Sequence, residues 1–72
     1  MDYKRYRMTY YLEDGNIIQD VKEFYYRDKM KMLKRVLQYI MFAKEITVID
    51  SSGNLISIPC NNIIKVQLNH LS

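Results

Sequence analysis

The stretch from Asp28 to Lys44, DKMKMLKRVLQYIMFAK, decides the fold. It is the one segment long and periodic enough to be read outright as a helix. Met30, Leu33, Leu37, Ile40, Met41 and Lys44 recur at helical spacing, with Val36 beside them. At about 100° per residue, the apolar side chains fill an arc of about 200°, and Lys31, Lys34, Arg35 and Gln38 fill the other side. A helix lying on one sheet needs an apolar stripe only a little wider than about 100°. Met32, Tyr39 and Ala43 fall outside that stripe. One reading has them cover sheet edges or pack under a loop. The other makes a second buried surface, a dimer or partner contact built from Met32, Tyr39 and Phe42, for which Met and aromatic side chains are well suited. Asp28 suits the N-cap, and Lys44 the negative end of the helix dipole.

Upstream, residues 3–12, YKRYRMTYYL, read as a strand. Tyr6, Met8, Tyr10 and Leu12 make its apolar face, and Tyr3, Arg5, Arg7, Thr9 and Tyr11 make the other. Asp14-Gly15 reads as a two-residue hairpin turn. That register pairs Leu12 with Ile17 and Met8 with Val21, and sets Arg7 opposite Lys22, a mildly unfavourable apposition. Residues 17–24 are expected as strand and 25–27 as connection. The competing reading takes Asp20-Val21-Lys22-Glu23 as a capping box that opens a longer helix, but Val21 and Phe24 fall out of phase with the helical stripe.

Downstream, Ile46–Ile49 is a short β-branched strand. Asp50-Ser51-Ser52-Gly53 turns the chain, and a three-residue loop pairs Val48 with Ile56 and Ile46 with Ile58. Pro59 ends that strand or places it at an edge. A last strand runs from Ile63 to Leu68, with Ile64, Val66 and Leu68 facing in, and Asn69–Ser72 is expected to fray. The segments 9–18 and 47–56 share Thr, Gly, Asn and a final Ile at matching positions without a gap. Common turn chemistry explains this as readily as duplication of a hairpin does.

The order is ββαβββ. The expected fold is a single α+β domain, 1–72, with a mainly antiparallel sheet and the amphipathic helix packed on one face. A chain of 72 residues buries only about 60% of its unfolded surface, so its stability is marginal without support. Cys60 is the single cysteine, which excludes an internal disulfide, and no metal-ligand cluster is present in the sequence. Self-association is the remaining common support, so a homodimer is the expectation. No signal peptide or transmembrane span is legible, and the expected compartment is the cytoplasm with Cys60 reduced.

No motif carries catalysis. His70 is the only histidine, and nothing beside it or Cys60 supplies an oxyanion hole or an orienting group. No Gly-rich phosphate loop, zinc spacing or helical His pair occurs, so no cofactor is expected. Two patches point to binding instead. Tyr3, Arg5, Arg7 and Tyr11 alternate onto one strand face, where rings stack on bases and guanidinium groups grip phosphate. Lys31, Lys34 and Arg35 form a basic stripe at i, i+3, i+4, within a run that also holds Arg27 and Lys29. The net charge of +3 permits an anionic partner.

The leading expectation is a non-enzymatic, homodimeric binding protein for an anionic nucleotide-like ligand or nucleic acid. The second is a protein-binding inhibitor or adaptor that uses Met32, Tyr39, Phe42 and a sheet edge. The third is a structural subunit of an assembly. In general style, the short length and Lys/Ile/Asn/Tyr-rich composition are similar to accessory proteins of phages and mobile elements, which favours occupation of another molecule's site as the mode of action.

Overall fold

The computed structural model describes residues 3–71. The order is β1 (Lys4–Leu12), β2 (Ile17–Tyr26), α1 (Lys29–Phe42), β3 (Glu45–Ile49), β4 (Leu55–Pro59) and β5 (Ile63–Leu71), with a 3-10 turn at Cys60–Asn62 before β5. All strand pairs among the described residues are antiparallel, and the fold is α+β. The strands form two sheets where a single one was expected. One has the order β2-β1-β5, and the other is the β3–β4 hairpin. Pro59 has no N–H to extend β4, and the chain leaves the hairpin through Cys60–Asn62 to pair with β1 instead.

Both hairpins close in the same way. Leu12 donates its N–H to the Asn16 carbonyl (2.9 Å) and accepts from Gly15 N–H (3.0 Å); Asp50 does the same with Asn54 and Gly53, both at 3.0 Å. Gly15 and Gly53 take positive φ, 88° and 83°. Each loop therefore has three residues, and the β3–β4 register is the expected one, Val48 opposite Ile56 and Ile46 opposite Ile58. The first hairpin departs by one residue, with Tyr11 opposite Ile17 and Thr9 opposite Gln19. A two-residue type I′ loop needs positive φ at Asp14 as well as Gly15. Asp14 instead keeps the ordinary region, and its carboxylate accepts from the Asn16 backbone (2.9 Å) and side chain (2.8 Å).

A second departure lies at Asp20–Lys22. Between the Thr9–Gln19 and Arg7–Glu23 pairs, β1 advances through Met8 alone, while β2 advances through Asp20, Val21 and Lys22. Asp20 holds this bulge by accepting from Lys22 N–H through Oδ1 at 2.9 Å. The two extra residues are an even number, so the inside–outside alternation survives. Arg7 faces Glu23, not Lys22, and the expected clash of like charges is absent. Beyond the bulge β2 runs on to Tyr26, which pairs with Lys4, so 25 and 26 are strand and not connection.

At the other end β5 continues to Leu71. Asn69, expected to fray, donates to Thr9 Oγ1 at 2.6 Å, and the His70 ring lies 5.6 Å from that of Tyr6. Ser72 lies outside the described residues. Ile64, expected inside, is exposed near the irregular end of the β1–β5 ladder.

Tyr6, Met8 and Tyr10 are buried as the alternation predicts, together with Ile46, Val48, Ile58, Cys60 and Leu68. The helix is capped by Asp28, which accepts from Met30 N–H (2.9 Å) and Lys31 N–H (3.4 Å). Its rotation differs from the expected one. Met32 is 1% exposed and belongs to the core, so its assignment to a partner surface is corrected. Leu33, Val36, Ile40 and Ala43 pack beside it, while Met30, Leu37 and Met41 are exposed. An apolar arc of about 200° contains more than one stripe wide enough to bury. The buried one sets flexible, unbranched Met32 among Tyr10, Val36 and Ile46, where it fills an irregular space.

Candidate functional site

The strand-face patch divides. Arg5 Nη1 lies 3.4 Å from Glu23 Oε2 and Arg7 Nη2 lies 3.6 Å from Glu23 Oε1. Two cations thus share one carboxylate. The Arg7 Nε is buried without a hydrogen-bond partner, so that edge of the guanidinium is closed to a ligand. Tyr11 donates to Gln67 Oε1 at 2.7 Å, and Lys65 Nζ lies 5.0 Å from its ring centroid. Arg5, Arg7 and Tyr11 are therefore engaged within the sheet.

Tyr3 and the helix stripe, by contrast, are brought together. Tyr3, Lys31, Lys34 and Arg35 line one open groove of about 1080 Å³ between the end of β2 and the outer face of α1. Tyr25, Tyr26 and Arg27 complete it, with the Arg27 guanidinium 5.9 Å from the Tyr3 ring centroid. Asp28 is the one carboxylate in its lining, and it is tied to the first turn of the helix. No carboxylate pairs with Lys31, Lys34 or Arg35 among the described residues. Four cations and three tyrosines thus face a site whose only acid is already engaged. Flat rings and cations in one groove suit a phosphate-bearing ligand with stacking groups. Tyr25 and Tyr26 escape a reading that assigns them to a loop. The signal available was the sequence Tyr25-Tyr26-Arg27, aromatic and basic, placed directly before the basic helix.

A second space adjoins the groove and shares Tyr26 and Arg35 with it. This cavity of about 420 Å³ lies between α1, β2 and the start of β3. Phe24, Met32, Val36, Ile40 and Ile46 give it apolar walls, and Tyr10 and Asp20 are its buried polar groups. Burial, then the charge of Asp20, then Cys60, push the Tyr10 hydroxyl up to about 12, so it stays protonated at neutral pH.

Tyr39 and Phe42, expected at a partner surface, are exposed side by side in a shallow groove with Ala43 and Arg35. Met32 is not with them. Cys60 is buried, and burial first and Glu45 second push its thiol up, away from the thiolate a nucleophile requires. Among the described residues, no three His, Cys, Asp or Glu side chains gather as a metal site, and no helix is long and apolar enough to cross a membrane.

No curated protein and no solved structure matches the chain. A family model does, over residues 8–71, which takes in β1 from Met8 onward and every later element: the chain belongs to the family described as a protein of unknown function, DUF3929.

Proposed function

We propose that this is a non-enzymatic binding protein whose ligand is a nucleotide or nucleic acid, held in the groove between the end of β2 and α1. One observation carries the reading. Arg27, Lys31, Lys34 and Arg35 converge with Tyr3, Tyr25 and Tyr26 on an open groove whose one acid, Asp28, caps the helix. The cations hold phosphate oxygens, and the tyrosines offer faces to bases or sugars. Of the two patches expected from the sequence, the helix stripe is the one retained, because Arg5 and Arg7 both engage Glu23 on the β1 face.

The test is fluorescence anisotropy of a labelled single-stranded oligonucleotide over a salt series. Binding should fall log-linearly with salt. Lys31→Gln with Lys34→Gln should weaken it more than tenfold and reduce the slope by about 1.4, the loss of two phosphate contacts on a single strand. A wild-type protein that binds no oligonucleotide, nucleotide or pyrophosphate would overturn the reading.

A second reading rests on Tyr39 and Phe42, aromatic side chains exposed together at the end of α1. Such a pair is suited to a protein partner or to a second copy of this chain. The salt dependence separates the two, since an apolar protein contact weakens far less with salt.

A further inference from the structure

We infer that the cavity behind the groove is a base-recognition pocket, and that the site as a whole takes a guanine nucleotide, its base against Asp20 and Tyr10 and its phosphates on Lys31, Lys34 and Arg35. This rests on the reading of the groove as a phosphate site. The two spaces adjoin, with Tyr26 and Arg35 lining both. The cavity volume of about 420 Å³ lies in the range of small-molecule sites, about 300–1,000 Å³, and its apolar walls also carry Asp20, Tyr10 and the cations Lys22 and Arg35.

Asp20 is the observation that asks for a ligand. Its residue is 5% exposed, and it lines the cavity. Oδ1 accepts from Lys22 N–H. Oδ2 accepts no hydrogen bond from the described residues, and Asp20 has no ion pair among them. Oδ2 is not among the buried atoms left without a partner, so it keeps contact with open space, where a ligand supplying N–H donors can meet it. The carboxylate oxygens accept, whereas the Tyr10 hydroxyl can donate. The complementary edge therefore has adjacent donors next to an acceptor. Guanine has that edge: N1–H and the 2-amino group for Asp20, and O6 for Tyr10. Adenine presents its N1 acceptor to a carboxylate, and uracil flanks its one N–H with two carbonyls. Both leave Asp20 opposed by lone pairs, and a buried polar group left unmatched discriminates strongly.

The experiment is isothermal titration of the intact chain with GDP, IDP, ADP, XDP and inorganic pyrophosphate, for the wild type and Asp20→Asn. Asn keeps the side-chain oxygen that accepts from Lys22 N–H, so the bulge is preserved. The wild type should bind GDP more than tenfold tighter than IDP, which lacks the 2-amino group, and than ADP. Asp20→Asn should lose GDP by more than tenfold and gain XDP, whose 2-oxo group accepts from the new amide. Pyrophosphate should bind weakly and equally to both. Should Asp20→Asn fail to fold, Tyr10→Phe replaces it, with a several-fold loss of GDP and no change in pyrophosphate. The GDP-to-IDP ratio of the wild type needs no variant. A pentanucleotide with one central guanosine, run in competition, tells a free nucleotide from a base within a strand, since the strand displaces GDP only if its own base enters the cavity. Equal affinity for GDP, IDP and ADP would overturn the inference and leave the phosphate groove standing. Loss of every ligand, pyrophosphate included, would overturn both.

Discussion

Arg7 stands opposite Glu23 across the β1–β2 ladder, with Nη2 3.6 Å from the carboxylate that Arg5 also reaches. The bulge at Asp20–Lys22 creates this pairing by advancing β2 two residues against β1, so that Glu23 and not Val21 meets Arg7. It removes from the candidate site the two arginines most suggestive in the sequence.

Arg5→Ala with Arg7→Ala should therefore change oligonucleotide binding less than Lys31→Gln with Lys34→Gln does. Half-exposed ion pairs contribute little, so the cost in stability should stay within about 1 kcal/mol per pair. Urea denaturation and anisotropy on the same two variants check both statements. A tenfold loss of binding in the arginine variant would return the site to the β1 face.

Met32→Ala should destabilise by about 2–5 kcal/mol, the usual range for truncation of a buried Met, and Met32→Lys by more. Met41→Ala, on the same helix but 76% exposed, should change stability by no more than about 0.5 kcal/mol. Thermal melts of the three variants give the comparison, and equal melting temperatures for Met32→Ala and Met41→Ala would contradict the observed rotation of the helix.

Self-association, if it occurs, should run through Tyr39 and Phe42, the latter 84% exposed. Tyr39→Lys with Phe42→Lys should leave the fold intact and yield a monomer in sedimentation equilibrium. An unchanged association constant would move the contact elsewhere, with Met30, Leu37 and Met41 the next exposed apolar stripe to test.

Tyr10 sets an alkaline limit. Its folded-state value of about 12 lies above the ordinary 10, chiefly through burial and then through Asp20 and Cys60. The stability this represents is complete below pH 10, because both states are then protonated. Between pH 10 and 12 the unfolded chain loses the proton first, and stability falls by roughly 3 kcal/mol at most. Tyr10→Phe removes that term, so its urea midpoint should change less with pH across this window than the wild type's.

Local pattern carried much of this fold into view, and the places where it failed have physical causes. Alternation along β1 identified Tyr6, Met8 and Tyr10 as core because a period of two has one solution once the strand is granted. Asp50 and Gly53 specified the second hairpin to the residue. The helix was visible, but its rotation was not: when apolar side chains cover more than half the circumference, the sheets choose the stripe, and they chose Met32. The bulge was hidden because Asp20 acts through a bond to its own backbone neighbour, which leaves no periodic mark. Of the site, the stripe of Lys31, Lys34 and Arg35 was legible as a linear pattern. Its meeting with Tyr3, Tyr25 and Tyr26 depends on where β2 ends in space, which only the ladder with β1 determines.

The central place of β1 has a consequence for how the chain is made. Arg5 pairs with Leu71, so β1 completes its sheet with β5, a strand made after all the others described here. While the ribosome is still extending the polypeptide, β1 and β2 can form a hairpin, but one edge of β1 stays without its neighbour until Ile63–Leu71 has left the exit tunnel. Contacts this distant along the chain close slowly, and an unpaired edge invites pairing between nascent molecules. Truncations that remove β5 should accumulate as aggregates in translation extracts, while the chain that carries β5 stays in solution.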